Sequence, residues 1–173
     1  MLPTSLLWAS STLVLHTLRV VALNAVDCGS TTPTGGFPIV SNGKASPILI
    51  SADDWEGVQI AASNFASDIQ MITGQKPSIT NVTSGISHPL GSNTFPIIIG
   101  TLGHSTLIDT VLNNTKLDVS AVNGSWEAFH AQEVENPLPG VSRGYVMIGA
   151  DKRGTVFNIY THSESFGVSP WYW

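Results

Sequence analysis

Phe95-Pro-Ile-Ile-Ile-Gly100 is the segment that most narrows what this chain can fold into. It is an unbroken apolar run of strand length, bounded by Pro96 and Gly100. A strand with one wet face alternates polar and apolar residues, so a run without polar positions has both faces covered. Tyr145-Val-Met-Ile-Gly149 reads the same way. The covering layers are visible in the sequence as helices.

The clearest helix follows Asp53. Val58, Ala61, Ala62, Phe65, Ile69 and Ile72 recur at helical spacing, with Gln59, Ser63, Asn64, Ser67, Asp68 and Gln70 on the opposite side. Asp53 followed three residues later by Glu56 predicts a capping-box start, and Gly74 supplies a left-handed stop. A second helix is predicted over Leu102–Leu112, with Ser105 as its cap. A third runs from about Gly154 to Phe166, with Val156, Ile159, Tyr160 and Ser163 along one stripe and Gly167 ending it.

Strands are predicted at Phe37–Val40 and Pro47–Ser51, joined through the Asn42-Gly43 turn. Lys76–Thr80 suits an edge strand because Pro77 bars a central position. Ala128–Val134 alternates weakly and completes the set. Helices thus return the chain between strands. The fold class is α/β (α+β), a mixed β-sheet with about three helices packed on one or two faces.

At 173 residues, with 42% hydrophobic and 11% charged residues, the chain suits one packed domain. Its net charge of −5 and the lack of any Lys/Arg cluster argue against nucleic acid or an anionic membrane surface as partner. Residues 1–25 are apolar and end in small residues, the pattern of a secretory signal cleaved near Ala22 or Ala25. A retained signal anchor is the alternative. Residues 26–36 form a flexible lead-in. Secretion also accords with three Asn-x-Ser/Thr sequons, at Asn81, Asn113 and Asn123. The single cysteine, Cys28, allows no internal disulfide and reads as an inert thiol.

Catalytic and cofactor signatures are sparse. His88, His104, His130 and His162 lack metal-ligand spacing, and no nucleophile elbow is present. Glu133 and Glu135 alternate on one side of a strand. They could serve as acid and base, but more often form a solvated face. Asp53, Asp54 and Glu56 suit the positive end of a helix dipole. The turn Gly149-Ala-Asp-Lys-Arg-Gly154 links a strand to a helix, the geometry of many anion sites, yet it lacks dinucleotide-loop and P-loop spacing. Asp151 can cap that helix, and Arg153 can bond back across the turn.

The stretches DWEGVQIAASNFASDIQMITGQKP, PIIIGTLGHSTLID and GADKRGTVFNIYTHSESFGVSPWYW resemble the amino-terminal region of glycoside hydrolase family 115, the xylan α-1,2-glucuronidases. The resemblance covers roughly residues 37–173. It implies a non-catalytic α/β amino-terminal domain over residues 37–168, with 169–173 starting a linker into a (β/α)₈ catalytic barrel that this chain lacks. It also implies a secreted enzyme without cofactor that inverts at the anomeric carbon of glucuronic acid, or its 4-O-methyl ether, on glucuronoxylan. One carboxyl group would protonate the leaving oxygen while another activates water. Those groups sit on barrel loops in the family, so none maps here. Asp151, Arg153, Trp171, Tyr172 and Trp173 would instead contact the barrel. Asn158 stands where the family usually has glycine, and Thr161-His162 replaces a pair that usually includes Asp. Two other readings remain open. One is a stand-alone sugar-binding module using Trp126, Trp171 and Trp173. The other is an α/β module with an anion site at Asp151–Gly154.

Overall fold

Three parallel apolar strand segments, Ile48–Ile50, Ile97–Ile99 and Tyr145–Met147, form the centre of the molecule. The structure, a computed structural model, describes Val26, Gly29, residues 36–83, Leu90 and residues 94–169. Residues 1–25, expected above to form a secretory signal, most of residues 26–36 and Trp171–Trp173 lie outside the described residues. In chain order the elements are β1 (Val40–Ser41), β2 (Lys44–Ala45), β3 (Ile48–Ser51), α1 (Glu56–Thr73), β4 (Ile79–Val82), β5 (Ile97–Thr101), α2 (Thr106–Asn114), β6 (Phe129–Leu138), β7 (Val141–Gly149) and α3 (Lys152–Ser165).

The main sheet has five strands in the order β4-β3-β5-β7-β6. The first four are parallel, and β6 is antiparallel to β7 at the edge. Register sorts the apolar residues into rows. Ile48, Ile97 and Tyr145 align, as do Leu49, Ile98 and Val146, and then Ile50, Ile99 and Met147. Alternate rows face opposite sides of the sheet. Ile48, Ile50, Ile97, Ile99 and Met147 pack with Val58, Phe65 and Ile69 of α1 and Ile159 of α3. Leu49, Ile98, Val146 and Ile148 pack with Leu107, Ile108 and Val111 of α2. Helices therefore cover both faces, and Ile97, Ile98 and Ile99 are all fully buried, as the unbroken apolar run requires.

Several expectations are corrected. The Asn42-Gly43 turn does not lead directly into Pro47–Ser51. Asn42 and Gly43 have φ of 50° and 70°, the two positive values of a tight hairpin turn, and they join β1 to the short strand β2 in a separate two-stranded sheet. Helix α1 starts at Glu56, with Trp55 at the cap position and no side-chain capping bond. Asp53 instead accepts from the Ser51 hydroxyl. Gly74 ends the helix in the left-handed conformation, as expected, but Ile72 is exposed. β4 starts at Ile79, beyond Pro77, and is an edge strand. Helix α2 starts at Thr106 rather than Leu102, because Gly103 at φ 65° turns the chain first and Ser105 then caps. The Ala128–Val134 strand extends to Leu138 and forms a long hairpin with β7 through Pro139-Gly140. On α3 the buried face carries Gly154, Thr155, Asn158, Ile159, His162 and Ser163, while Tyr160 points outward.

Candidate functional site

The parallel strands deliver their carboxyl ends, Ser51, Thr101 and Gly149, to one edge of the sheet. From there β3 leads to α1 on one face and β5 leads to α2 on the other. Divergence of this kind opens a crevice between β3 and β5, the position where open α/β sheets take their ligands. This makes the carboxyl-end rim the first place to look for chemistry.

The crevice is filled by the chain itself. Asp54, only 4% exposed, reaches across from the β3–α1 junction to the end of β5. Its carboxylate accepts from the Thr101 amide (2.9 Å), the Thr101 hydroxyl (3.0 Å) and the Trp55 amide (2.8 Å). The Thr155 hydroxyl lies 2.9 Å from Thr101 Oγ1 and 3.0 Å from the Asp151 carbonyl, and its single proton can serve one of them at a time. The network thus joins β3, β5 and α3. Ser51 Oγ also lies 3.0 Å from Thr106 Oγ1, tying β3 to the start of α2. Burial pushes the Asp53 carboxyl up, but hydrogen bonds from the Ser51 and Thr106 hydroxyls outweigh it and hold the group below the usual carboxylate range.

Above this plug, Trp55 stacks on His104 at a centroid distance of 4.0 Å and an interplanar angle of 13°. The Lys152 ammonium lies 5.6 Å from the Trp55 ring centroid. One aromatic therefore bridges the loops after β3, β5 and β7.

The Gly149–Gly154 turn is a packing device. A Cβ at Gly149 would collide with the backbone and side chain of Thr155, and one at Gly154 would collide with the Ala128 carbonyl. Glycine at both positions lets the first turn of α3 lie directly on the ends of β7 and β6. Asp151 caps the helix as expected, accepting from the Gly154 amide (2.8 Å), and it also accepts from the Glu127 amide (3.0 Å). The Glu127 bond, then the Gly154 bond, hold its carboxyl below the ordinary value. Arg153 bonds Glu127 (3.1 Å) and lies over Phe157 at 5.5 Å from the ring centroid. Trp126, 81% exposed, donates its indole N–H to Glu127 (2.7 Å).

The remaining sequence candidates stay apart. Glu133 is held by Arg143 (Nε to Oε1 2.6 Å, Nη2 to Oε2 2.9 Å), and Arg143 also donates to the Gly36 carbonyl (3.0 Å). The Arg143 guanidinium, held by Glu133, anchors Gly36 to the β6–β7 hairpin. Glu135 is exposed on β6. His104 lies on the rim, His130 on β6 beside Gln132, and His162 on the buried side of α3; His88 is outside the described residues. His162 Nδ1 contacts the Asn158 carbonyl (2.7 Å) and Nε2 contacts the Tyr145 hydroxyl (2.9 Å). Burial pushes its pKa down, partly offset by the Asn158 bond. The Asn158 amide donates to the His130 and Ile148 carbonyls, joining α3 to the last two strands. Among the described residues, no group of three or more His, Cys, Asp or Glu could hold a metal ion, and no helix is long and apolar enough to cross a membrane. Asn81, Asn113 and Asn123 are all exposed.

Asp54 is the residue that sequence reasoning misplaced. Two adjacent acids before a helix look interchangeable, and only the pairing of β3 with β5 decides which one turns inward.

No protein-family profile matches the chain, and no curated protein does. Among solved structures it is similar to a family GH115 4-O-methyl-α-glucuronidase, BtGH115A, whose stated specificity is for decorated arabinogalactans. The identity is 27% and the TM-score 0.55. The similarity covers 78% of this chain and 15% of that one, so the chain spans a small part of the length of the enzyme it resembles. It has a GH115-like fold.

Proposed function

We propose that the chain is the non-catalytic amino-terminal domain of a secreted family 115 type glycoside hydrolase, an α-(4-O-methyl)-glucuronidase, and is inactive alone. The observation that carries this reading is the filled switch-point crevice on a fold shared with that family. Asp54, Thr101 and Thr155 occupy the place a ligand would take, and Asp151 and Glu133 are likewise bound to groups of this domain. Removing glucuronate takes two carboxyl groups flanking a glycosidic bond, with room for water in an inverting enzyme. That pair belongs to the catalytic barrel of the longer enzyme. The barrel is the domain's proposed partner, through Asp151, Arg153, Trp171, Tyr172 and Trp173. The enzyme's polysaccharide carries glucuronate side chains, glucuronoxylan in the family resemblance and decorated arabinogalactan for the solved relative. The signal segment, secretion and glycans at Asn81, Asn113 and Asn123 belong to the same proposal.

Calorimetry separates this reading from its rivals. Titration with xylo-oligosaccharides and arabinogalacto-oligosaccharides should give no saturable heat. Saturable binding that Trp126→Ala, Trp171→Ala or Trp173→Ala abolishes would replace it with a sugar-binding module. A phosphate-dependent rise in melting temperature, lost in Arg153→Ala, would replace it with an anion-binding module.

A further inference from the structure

The outward surface of the α1–α3 layer exposes four large hydrophobic side chains among polar ones. Ile60 and Met71 on α1 are 55% and 51% exposed, and Phe157 and Tyr160 on α3 are 41% and 42% exposed. Outward positions recur at helical spacing, as Ile60, Asn64, Ser67 and Met71 on α1 and as Arg153, Phe157, Tyr160 and Glu164 on α3. The Asn64 amide donates to the Tyr160 hydroxyl across the pair (2.9 Å), and Phe65 stacks on Phe166 beneath at 5.7 Å. The two stripes therefore form one surface at fixed spacing. On α3 Arg153 and Glu164 flank the apolar pair Phe157 and Tyr160, while on α1 Ile60 and Met71 lie at the two ends with Asn64 and Ser67 between them.

The opposite face differs in kind. Helix α2 turns Asp109, Thr110, Asn113 and Asn114 outward. The sequons make a second, independent distinction. Asn113 lies on α2, Asn81 on the edge strand β4 and Asn123 in the connection before β6, while α1 and α3 carry none. A branched glycan keeps a protein partner at a distance. Of the two helical layers, only α1–α3 is both apolar and free of glycosylation sites.

We propose that this α1–α3 face is the seat of a second protein domain, the catalytic part of a GH115-type hydrolase. The proposal rests on the family reading above and specifies which surface the larger enzyme uses. The solved relative supplies the reason for choosing this occupant over a second copy of the chain: the matched segment is 15% of that polypeptide, so most of it remains to be packed against. Ile60, Met71 and Phe157 would supply its apolar contacts, with Tyr160 held at fixed height by Asn64.

The test mixes the 173-residue protein with the GH115 relative's chain from which the matched segment has been removed, and reads binding by sedimentation velocity. Ile60→Lys with Phe157→Glu should weaken binding at least about tenfold, the loss expected when exposed apolar contacts become charged. Thr110→Lys on α2 should leave binding unchanged, and both variants should keep the parent urea midpoint because the altered positions are exposed. Binding lost in Thr110→Lys but retained in the double variant would overturn the docking face while leaving the family reading intact. No binding by the parent protein would count against the family reading itself. A dimer of the 173-residue chain that the double variant dissociates would assign the face to a second copy and overturn the proposal. Dye binding provides a readout that needs no partner: the double variant should lower ANS fluorescence at least about twofold, and unchanged fluorescence would show that the face is not the exposed patch claimed.

Discussion

Replacing Asp54 with Ala tests the crevice plug directly. The carboxylate receives three hydrogen bonds, two from Thr101 and one from the Trp55 amide. Trp55 is 45% exposed, so water can replace that acceptor. The Thr101 hydroxyl can turn towards Thr155 Oγ1, 2.9 Å away. The Thr101 amide has neither escape, because the residue is 2% exposed. An orphaned buried amide costs about 1–3 kcal/mol, and losing hydrogen bonds to a charged group adds about 1.5–3 kcal/mol, so Asp54→Ala should destabilise by roughly 2.5–6 kcal/mol. Asp54→Asn should cost less, about 1–2 kcal/mol. With its oxygen towards the Thr101 amide, its NH₂ can donate to the Thr101 hydroxyl, and only the solvated Trp55 amide then faces a donor. Urea unfolding with a common slope measures both. An Asp54→Ala protein within about 0.5 kcal/mol of the parent, the range of ordinary surface changes, would refute the reasoning.

Other outcomes follow from the same geometry. Gly149→Ala should destabilise by more than about 3 kcal/mol or prevent folding, since its methyl meets the first turn of α3; Gly140→Ala, with open space at φ 78°, should cost only about 1 kcal/mol, and urea midpoints compare the two. Burial depresses the His162 pKa, so the unfolded chain binds more protons than the folded one over the interval between their two pKa values. Stability from this residue is complete above about pH 6.5 and is lost as pH falls through the lower folded value; His162→Gln should flatten that slope in unfolding measured at successive pH values. Asp53 and Asp151 add a further loss as pH falls through their depressed pKa values, seen as acid unfolding that Asp151→Asn shifts. Trp126→Ala should leave stability within about 0.5 kcal/mol, because the ring is almost wholly in solvent.

The layered fold is legible in the sequence wherever burial is continuous or strictly periodic. Phe95–Gly100 announces a strand covered on both faces, and the α1 stripe gives a helix whose inner side is right in all but Ile72. Ser105, Asp151 and Gly74 end or begin helices where expected, since caps are local chemistry. Errors arise where tertiary pairing overrides local pattern. Asp53 looks like a cap, but the Ser51 hydroxyl claims it. The inner face of α3 is partly polar, with Asn158 and His162 buried against backbone carbonyls and Tyr145, so a hydrophobic stripe cannot locate it. The β6–β7 hairpin is longer than its alternation indicates because Pro137 and the irregularity between Glu135 and Leu138 interrupt the period. The rim stack of Trp55, His104 and Lys152 joins three loops distant in sequence, and no spacing rule reaches that far.

Uronic acid release is the most direct measurement of the central claim. The purified 173-residue protein, incubated with 4-O-methylglucuronoxylan oligosaccharides and with glucuronate-decorated arabinogalactan, should release neither glucuronic acid nor its methyl ether. Sustained turnover of either substrate, abolished by substituting a carboxylate of this chain such as Glu135, would contradict the account and place catalysis within the domain.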